Sequence, residues 1–194
     1  MFTFQPLTTN YWSDFVQLFG ERGACGGCWC MHWHLSRAEY ERQKGEGNKL
    51  AMKRMVDEGR VPGLLALAGD APAGWIALSP REAYPVLARS HILKPIDNTP
   101  VWSIVCFFVA KPYRGRGLSV ALLRAAIDFV QSQEGQVLEG YPQEPQKGEM
   151  PPVFAFTGLA SAFRRAGFVE VARRSVSRPI MRYTIPTGEQ DGPS

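Results

Sequence analysis

Two stretches of the chain carry residue types that can do chemistry. In 23-GACGGCWCMHWHL-35, three of the four cysteines and two of the three histidines fall between Cys25 and His34, around Trp29 and Trp33. In 111-KPYRGRGLS-119, two glycines and two arginines join an apolar run to a helical one. Gly115 and Gly117 let the backbone turn tightly and approach a ligand with no Cβ in between. A helix starting near Leu118 then offers unpaired N–H groups and a partial positive charge, with Arg114 and Arg116 beside it. This pattern suits a phosphate or pyrophosphate. The plain alternative is a basic turn that merely joins a strand to a helix.

The cysteine-rich stretch leaves more readings open. A zinc site takes about four ligands, and C-x2-C-x-C-x-H-x-H offers five candidates. Single-residue spacings, however, put successive ligands on opposite sides of an extended chain, and no second C-x2-C or H-x3-H pair follows. No metal is expected. A Cys25–Cys28 disulfide is disfavoured in a reducing compartment. The favoured reading is a pocket wall. Trp29, Met31 and Trp33 would supply apolar faces able to hold a cationic amine. Cys28, Cys30, His32 and His34 would supply polar edges, and either histidine could take a proton at neutral pH. Ordinary core packing is the remaining alternative, since free Cys and Trp are often simply buried.

The elements that must position these residues alternate between strand and helix patterns. FTFQPL reads as a strand, and YWSDFVQLFG as a helix with apolar Trp12, Phe15, Leu18 and Phe19 on one face. The segment 36–59 is helical, split or bent at Gly45 and Gly47. Residues 61–79 read as two apolar strands in a hairpin turning at Asp70–Pro72. VWSIVCFFV is a strand buried on both faces, feeding through the glycines into the helix LSVALLRAAIDFVQS. A strand at QVLEGYP, a short helix closed by Gly167 and one or two final strands complete a mixed α/β order. The proline-rich stretch 142–152 is expected to be a long loop.

Composition sets the bounds. With 194 residues, 45% hydrophobic and 21% charged, the chain has the size and balance of one globular domain. No apolar run approaches the ~20 residues of a membrane helix. No basic-then-apolar leader opens the sequence, so the expected location is cytoplasmic, with no membrane partner. A net charge of +4, spread along the chain apart from pairs at Arg164/Arg165 and Arg173/Arg174, gives no nucleic-acid arm. A phosphate-bearing small molecule suits this balance better than a duplex. G-x-x-x-x-G-K-[ST] is absent, as is a G-x-G-x-x-G with a distal acid, which argues against the familiar nucleotide loops.

VAKPYRGRGLS resembles the signature R/Q-x-x-G-x-G/A of the GNAT family of N-acetyltransferases. Arg114 and Gly117 fit its motif positions, and Ser119 stands in place of the usual Gly or Ala. GLASAFRRAGFVEV is similar to the family's short helix ending in Gly-Phe before the last strands. The resemblance covers nearly the whole chain. It implies a single domain over 1–185, with 186–194 as a flexible tail. It also implies a central twisted mixed sheet, flanked by helices and splayed between two parallel strands, here 101–110 and 136–141.

Acetyl-CoA would be the co-substrate, its pyrophosphate on Arg114, Gly115, Arg116, Gly117, Leu118 and Ser119. Its pantetheine arm would pair along Phe108 and Val109, and its thioester would lie near Phe107 for direct attack by a small-molecule or peptide amine. The acceptor pocket would take Trp29, Cys30, His32, Trp33 and Tyr141. Two departures from the family stand out. Phe163 replaces the tyrosine that often protonates the leaving thiolate, and 101-VWSIVCFFV-109 lacks a strand glutamate. His32, His34, Glu139 and Tyr141 are the remaining catalytic candidates. A homodimer through an exposed strand edge fits the family habit. The competing reading is a CoA- or metal-binding sensor without catalysis.

Overall fold

A computed structural model describes residues 1–145 and 156–186. Its strands are β1 (Thr3–Pro6), β2 (Gly63–Ala68), β3 (Ala71–Pro80), β4 (Trp102–Val109), β5 (Val137–Gly140), β6 (Val169–Arg173) and β7 (Pro179–Thr184). They form one sheet in the order β1-β2-β3-β4-β5-β7-β6. Every described pairing is antiparallel except that of β4 with β5. The helices are α1 (Trp12–Phe19), α2 (Arg37–Arg42), α3 (Glu46–Asp57), α4 (Pro85–Arg89), α5 (Leu118–Ser132) and α6 (Ala160–Arg165).

The sheet is covered on both sides, so its central strands bury both faces. Along β3, Trp75 and Ala77 join the cluster around Phe15, Trp29, Tyr84 and Tyr141, while Ile76 and Leu78 join Ile104, Leu122, Phe163 and Met181 on the other side. The two-residue alternation of a strand thus feeds two cores at once. α1 turns Phe15, Leu18 and Phe19 inward and packs on β3. α5 buries Leu118, Val120, Leu122, Leu123, Ala126 and Val130 against β2, β3 and β4.

The helical stretch after residue 35 begins with a capping box, in which Ser36 accepts from the Glu39 amide and the Glu39 carboxylate reaches back to the Ser36 amide. It breaks between Arg42 and Glu46, with Gly45 at φ 86°. The hairpin between β2 and β3 turns at Gly69–Asp70, earlier than the sequence pattern indicates. Pro72 lies inside β3 opposite Leu67, next to a register shift between Ala66 and Leu67, where a missing N–H is tolerated. Much of the expected loop 142–152 and nearly all of the expected tail 186–194 lie outside the described residues. No helix among the described residues is long and apolar enough to cross a membrane.

Candidate functional site

The sheet opens between β4 and β5. Their parallel register runs Trp102–Leu138, Ser103–Glu139 and Ile104–Gly140, and ends there. Gly140 is flat of necessity, since a Cβ would lie 2.1 Å from Phe163 Cε1. Phe163 therefore sits like a wedge at the parting, edge-on to Phe107 at 5.9 Å and to Phe168 at 5.0 Å. β4 also carries a bulge at this point, because Ala77 faces Cys106 while Leu78 faces Ile104, leaving Val105 extra. Past the parting, β4 runs on to Val109 without β5 beside it. The Phe107 N–H donates to Phe156 O at 2.6 Å on that side. Two residues on, strand alternation turns the Val109 peptide to the same open edge, while the Phe108 peptide faces β3.

That edge borders a cleft of about 780 Å³. Phe107, Phe108 and Val109 form one wall, Tyr113 to Val120 except Arg116 the end, and Gly158, Leu159, Ser161, Ala162 and Arg165 the opposite wall. Gly115 and Gly117 hold φ of 73° and 77°, and a Cβ on either would meet nothing within 4 Å. Here the glycines leave space for something outside the chain. Gly117 caps α5 with no side-chain bond to its first amides and no acidic residue in the first turn. The Val120 N–H is taken by Gly117 O at 3.0 Å, and the first turn lies at the positive end of a fifteen-residue helix, a position that favours an anion. The Arg114 Nε donates to Val109 O at 3.0 Å, fixing that guanidinium beside the strand end.

Of the residues expected at this cradle, Arg114, Gly115, Gly117, Leu118, Ser119, Phe108 and Val109 all line the cleft. Arg116 is exposed and its side chain is not part of the lining. Tyr113 and Arg165 were missed by the sequence reading. Arg165 belonged to a basic pair that was noted without a role, and only the packing of α6 across the parting brings it to the cleft.

The cysteine-rich loop is built differently. Residues 23–27 form one wide turn, in which the Gly27 N–H donates to Arg22 O at 2.8 Å. Gly27 O in turn accepts from Gly45 N at 3.0 Å and from Asn48 Nδ2 at 3.1 Å. Ala24, Trp29 and Cys30 adopt positive φ of 64°, 43° and 61°. Such strain persists where the surroundings impose it. The Trp29 ring stacks on Phe19 at 5.7 Å, and Cys30 Sγ accepts from the buried Trp75 Nε1 at 3.2 Å.

Trp29, Cys30 and Trp33 are each no more than 5% exposed and belong to the core beneath α1 and β3. The expected pocket wall is thus corrected for these three, because their apolar bulk is spent on the core. The loop reaches the cleft through Ala24 and Cys25 instead. All four cysteines are free thiols. Among the described residues, no group of three or more His, Cys, Asp or Glu could hold a metal ion.

The histidines divide. The His34 ring lies 4.6 Å from Tyr84, and its Nδ1 bonds to Ala83 O at 3.0 Å. Its Nε2 is enclosed without a partner. Burial pushes its pKa down to about 4, so it is neutral at pH 7. His32 is exposed, set edge-on to Trp33, Tyr40 and Phe156 at 5.1, 5.4 and 6.2 Å. Its pKa is lowered by desolvation and then by the Arg178 charge, with Glu41 opposing. It is therefore an unprotonated imidazole at neutral pH, adjoining a residue of the cleft lining.

Glu139 and Tyr141 are not free acid–base groups. Glu139 is 1% exposed and accepts from Arg81 Nη1 at 2.9 Å, from the Tyr141 hydroxyl at 2.7 Å and from Arg182 Nε at 2.7 Å. Arg182 grips Asp97 with its other nitrogens at 2.7 and 3.0 Å. Tyr141 is fully buried, 2.9 Å from Ser103 Oγ, and burial with the Glu139 charge raises its pKa. Neither residue lines the cleft. Both serve a buried network that ties β5 to β4, β7 and the segment before β4.

A seven-stranded mixed sheet, split between two parallel strands and flanked by helices, defines the class: an α/β protein with a glycine-capped helix N-terminus at the open end of the split. The sequence profile of the Acetyltransferase (GNAT) family matches residues 29–145, and the chain belongs to that family. A comparison with curated proteins returned no match. Among solved structures, the chain is similar to an acetyltransferase of the GNAT family from Streptococcus agalactiae, at 13% identity and a TM-score of 0.56, covering 96% of each chain. It is also similar to a GNAT-family protein from Desulfovibrio desulfuricans, at 15% identity and a TM-score of 0.53, over 95% of this chain and 99% of that one. A third is the PaiA N-acetyltransferase of Thermoplasma acidophilum, solved in complex with coenzyme A, at 14% identity and a TM-score of 0.53, over 95% and 99% of the two chains. At such identities these likenesses establish the fold.

Proposed function

We propose that the protein transfers an acetyl group from acetyl-CoA to a primary amine by direct attack. The observation that carries this reading is the parting of β4 from β5 after Ile104–Gly140, which leaves the end of β4 without a strand beside it as it leads to the amides of α5. A diphosphate fits the amides of 115–119, with Arg114 and Arg165 supplying countercharge. A pantetheine arm, with its amide groups, adds to the edge at Val109 as an extra strand would. The thioester then lies by Phe107. The coenzyme A complex of the similar PaiA N-acetyltransferase supports the co-substrate.

In the reaction the amine nitrogen attacks the thioester carbon, the new C–N bond forms and the C–S bond breaks. The leaving thiolate, whose thiol has a pKa of roughly 8.5, departs without strong acid help. That removes the need for the tyrosine replaced by Phe163. The amine must arrive unprotonated or lose its proton to a base. His32, neutral and adjoining Phe156, is the candidate for that proton. Positioning supplies most of the acceleration. β6, at one edge of the sheet with Val169 and Val171 exposed, is the edge through which a second copy would pair.

One observation favours the rival reading of a CoA-binding protein without turnover: Glu139 and Tyr141 are locked in the core. Titration calorimetry with acetyl-CoA, followed by CoA-thiol release against an amine panel, separates the two. Micromolar binding with amine-dependent release is the expected result. Binding without release would leave the sensor, and no binding would remove both.

A further inference from the structure

Arg178 is a half-buried guanidinium whose charge no carboxylate among the described residues meets. Its Nη2 donates to Thr157 Oγ1 at 3.1 Å. With the Gln143 amide turned so that both its ends are satisfied, Oε1 of Gln143 accepts from the same nitrogen at 3.2 Å. Both acceptors are neutral. Nε is closed off from water without a partner, and Nη1 has no acceptor among the described residues.

Other charges nearby are already engaged. Glu144 holds Arg164 and Arg173, Glu41 faces Lys44, and Glu139 and Asp97 hold Arg182. Taking a guanidinium out of water without an anion is costly, so folded chains seldom leave one so placed without a use.

Its place in the fold says what the use is. Thr157, which positions Arg178, lies between Phe156 and Gly158, both in the cleft lining. Phe156 also bonds to Phe107 at the parting and meets the His32 ring. Arg178 thus stands behind the Phe156–Gly158 stretch of the cleft wall, its own side chain set back from the lining, and near enough to His32 for its charge to lower that ring's pKa.

We infer that Arg178 binds a carboxylate of the acceptor, so that the substrates are amino-carboxylates and not simple amines. Arg178 Nη1 offers an anchor for the carboxylate, and the amine of the same molecule is held toward Phe107 with His32 beside it. Arg178 is a specificity-determining residue in this arrangement and takes no part in bond making. The inference rests on the acetyl-transfer reading for its reaction, but not for its anion.

The test uses matched pairs of one skeleton, each an α-amino acid and its decarboxylated amine, with acetyl-CoA and the whole protein. The acid member is expected to be favoured in kcat/KM by about tenfold or more, the worth of a charge-assisted hydrogen bond. Arg178→Gln should remove that preference through KM, with kcat little changed and the amine member unaffected. It should also leave the melting temperature unchanged or higher, whereas a structural arginine would lower it. Equal use of both members, or an equal loss for both in Arg178→Gln, overturns the inference. So does acetylation of amines alone.

A second readout does not need the reaction. The acid member, added without acetyl-CoA, should raise the pKa of the His32 ring in an NMR titration by neutralising Arg178. The amine member should not. No such shift with any acid of the panel overturns the anchor, while failure of acetyl-CoA binding alone counts against the acetyl-transfer reading.

Discussion

The glycine-rich turns at 23–27 and 115–117 use the same residue for opposite ends. Gly23 and Gly117 both hold positive φ, 59° and 77°. A Cβ on Gly23 would lie 2.3 Å from Trp29 Nε1, whereas one on Gly117 would meet nothing within 4 Å. The first glycine lets the chain close on itself. The second leaves open space beside it. The turn that holds cysteine chemistry sits beside a core that swallowed its tryptophans and meets the cleft only at Ala24 and Cys25, while the turn of backbone and arginine forms the end of the cleft. Reactive residue types therefore mark a site less reliably than unpaired backbone left exposed at the end of a strand.

Each arm of this contrast can be broken. The largest effect is expected from Trp29→Ala, which should destabilise the fold by about 3–5 kcal/mol in urea unfolding, as for other large core aromatics. A loss under about 1 kcal/mol would return Trp29 to the pocket wall.

Acidification should expose the same closed region. His34 has a folded pKa of about 4 against an ordinary 6.5, so between those values the unfolded chain binds a proton that the folded chain refuses. Stability is then complete above pH 6.5 and falls as pH drops through the window, by up to about 3 kcal/mol. His32, also lowered, acts in the same direction. Urea midpoints measured from pH 7.5 to 4.5 check the slope. His34→Gln should flatten it, and an unchanged slope would put the titration elsewhere.

On the open side, Gly117→Trp should weaken acetyl-CoA binding by roughly a hundredfold, about 2.7 kcal/mol, by filling the approach to the α5 amides. Gly117→Ala serves as its control, since it shares the positive-φ strain and adds only a Cβ. Equal affinity in both variants would remove the cradle. The smallest effect is expected from Cys25→Ser. An exposed thiol without a metal or disulfide should change stability by less than about 0.5 kcal/mol, with zinc content unaltered. A large loss would make the cysteine loop a structural centre after all.

The sequence by itself determined the parts that are local. A strand, two glycines flanked by arginines and a helix lie within thirty consecutive residues, so their order already specifies where the helix starts. The break near Gly45 was legible for the same reason, since it depends on residues within one or two turns. The tertiary structure decided whatever depended on distant partners. Glu139 reads as a candidate base until Arg81, 58 residues earlier, and Arg182, 43 later, close on its carboxylate. Trp29, Cys30 and Trp33 read as a pocket until α1 and β3 cover them. Arg178 drew no attention in the sequence, because whether a charge is met depends on neighbours far along the chain. Burial and pairing are sums over the whole fold, and composition along a chain does not contain them.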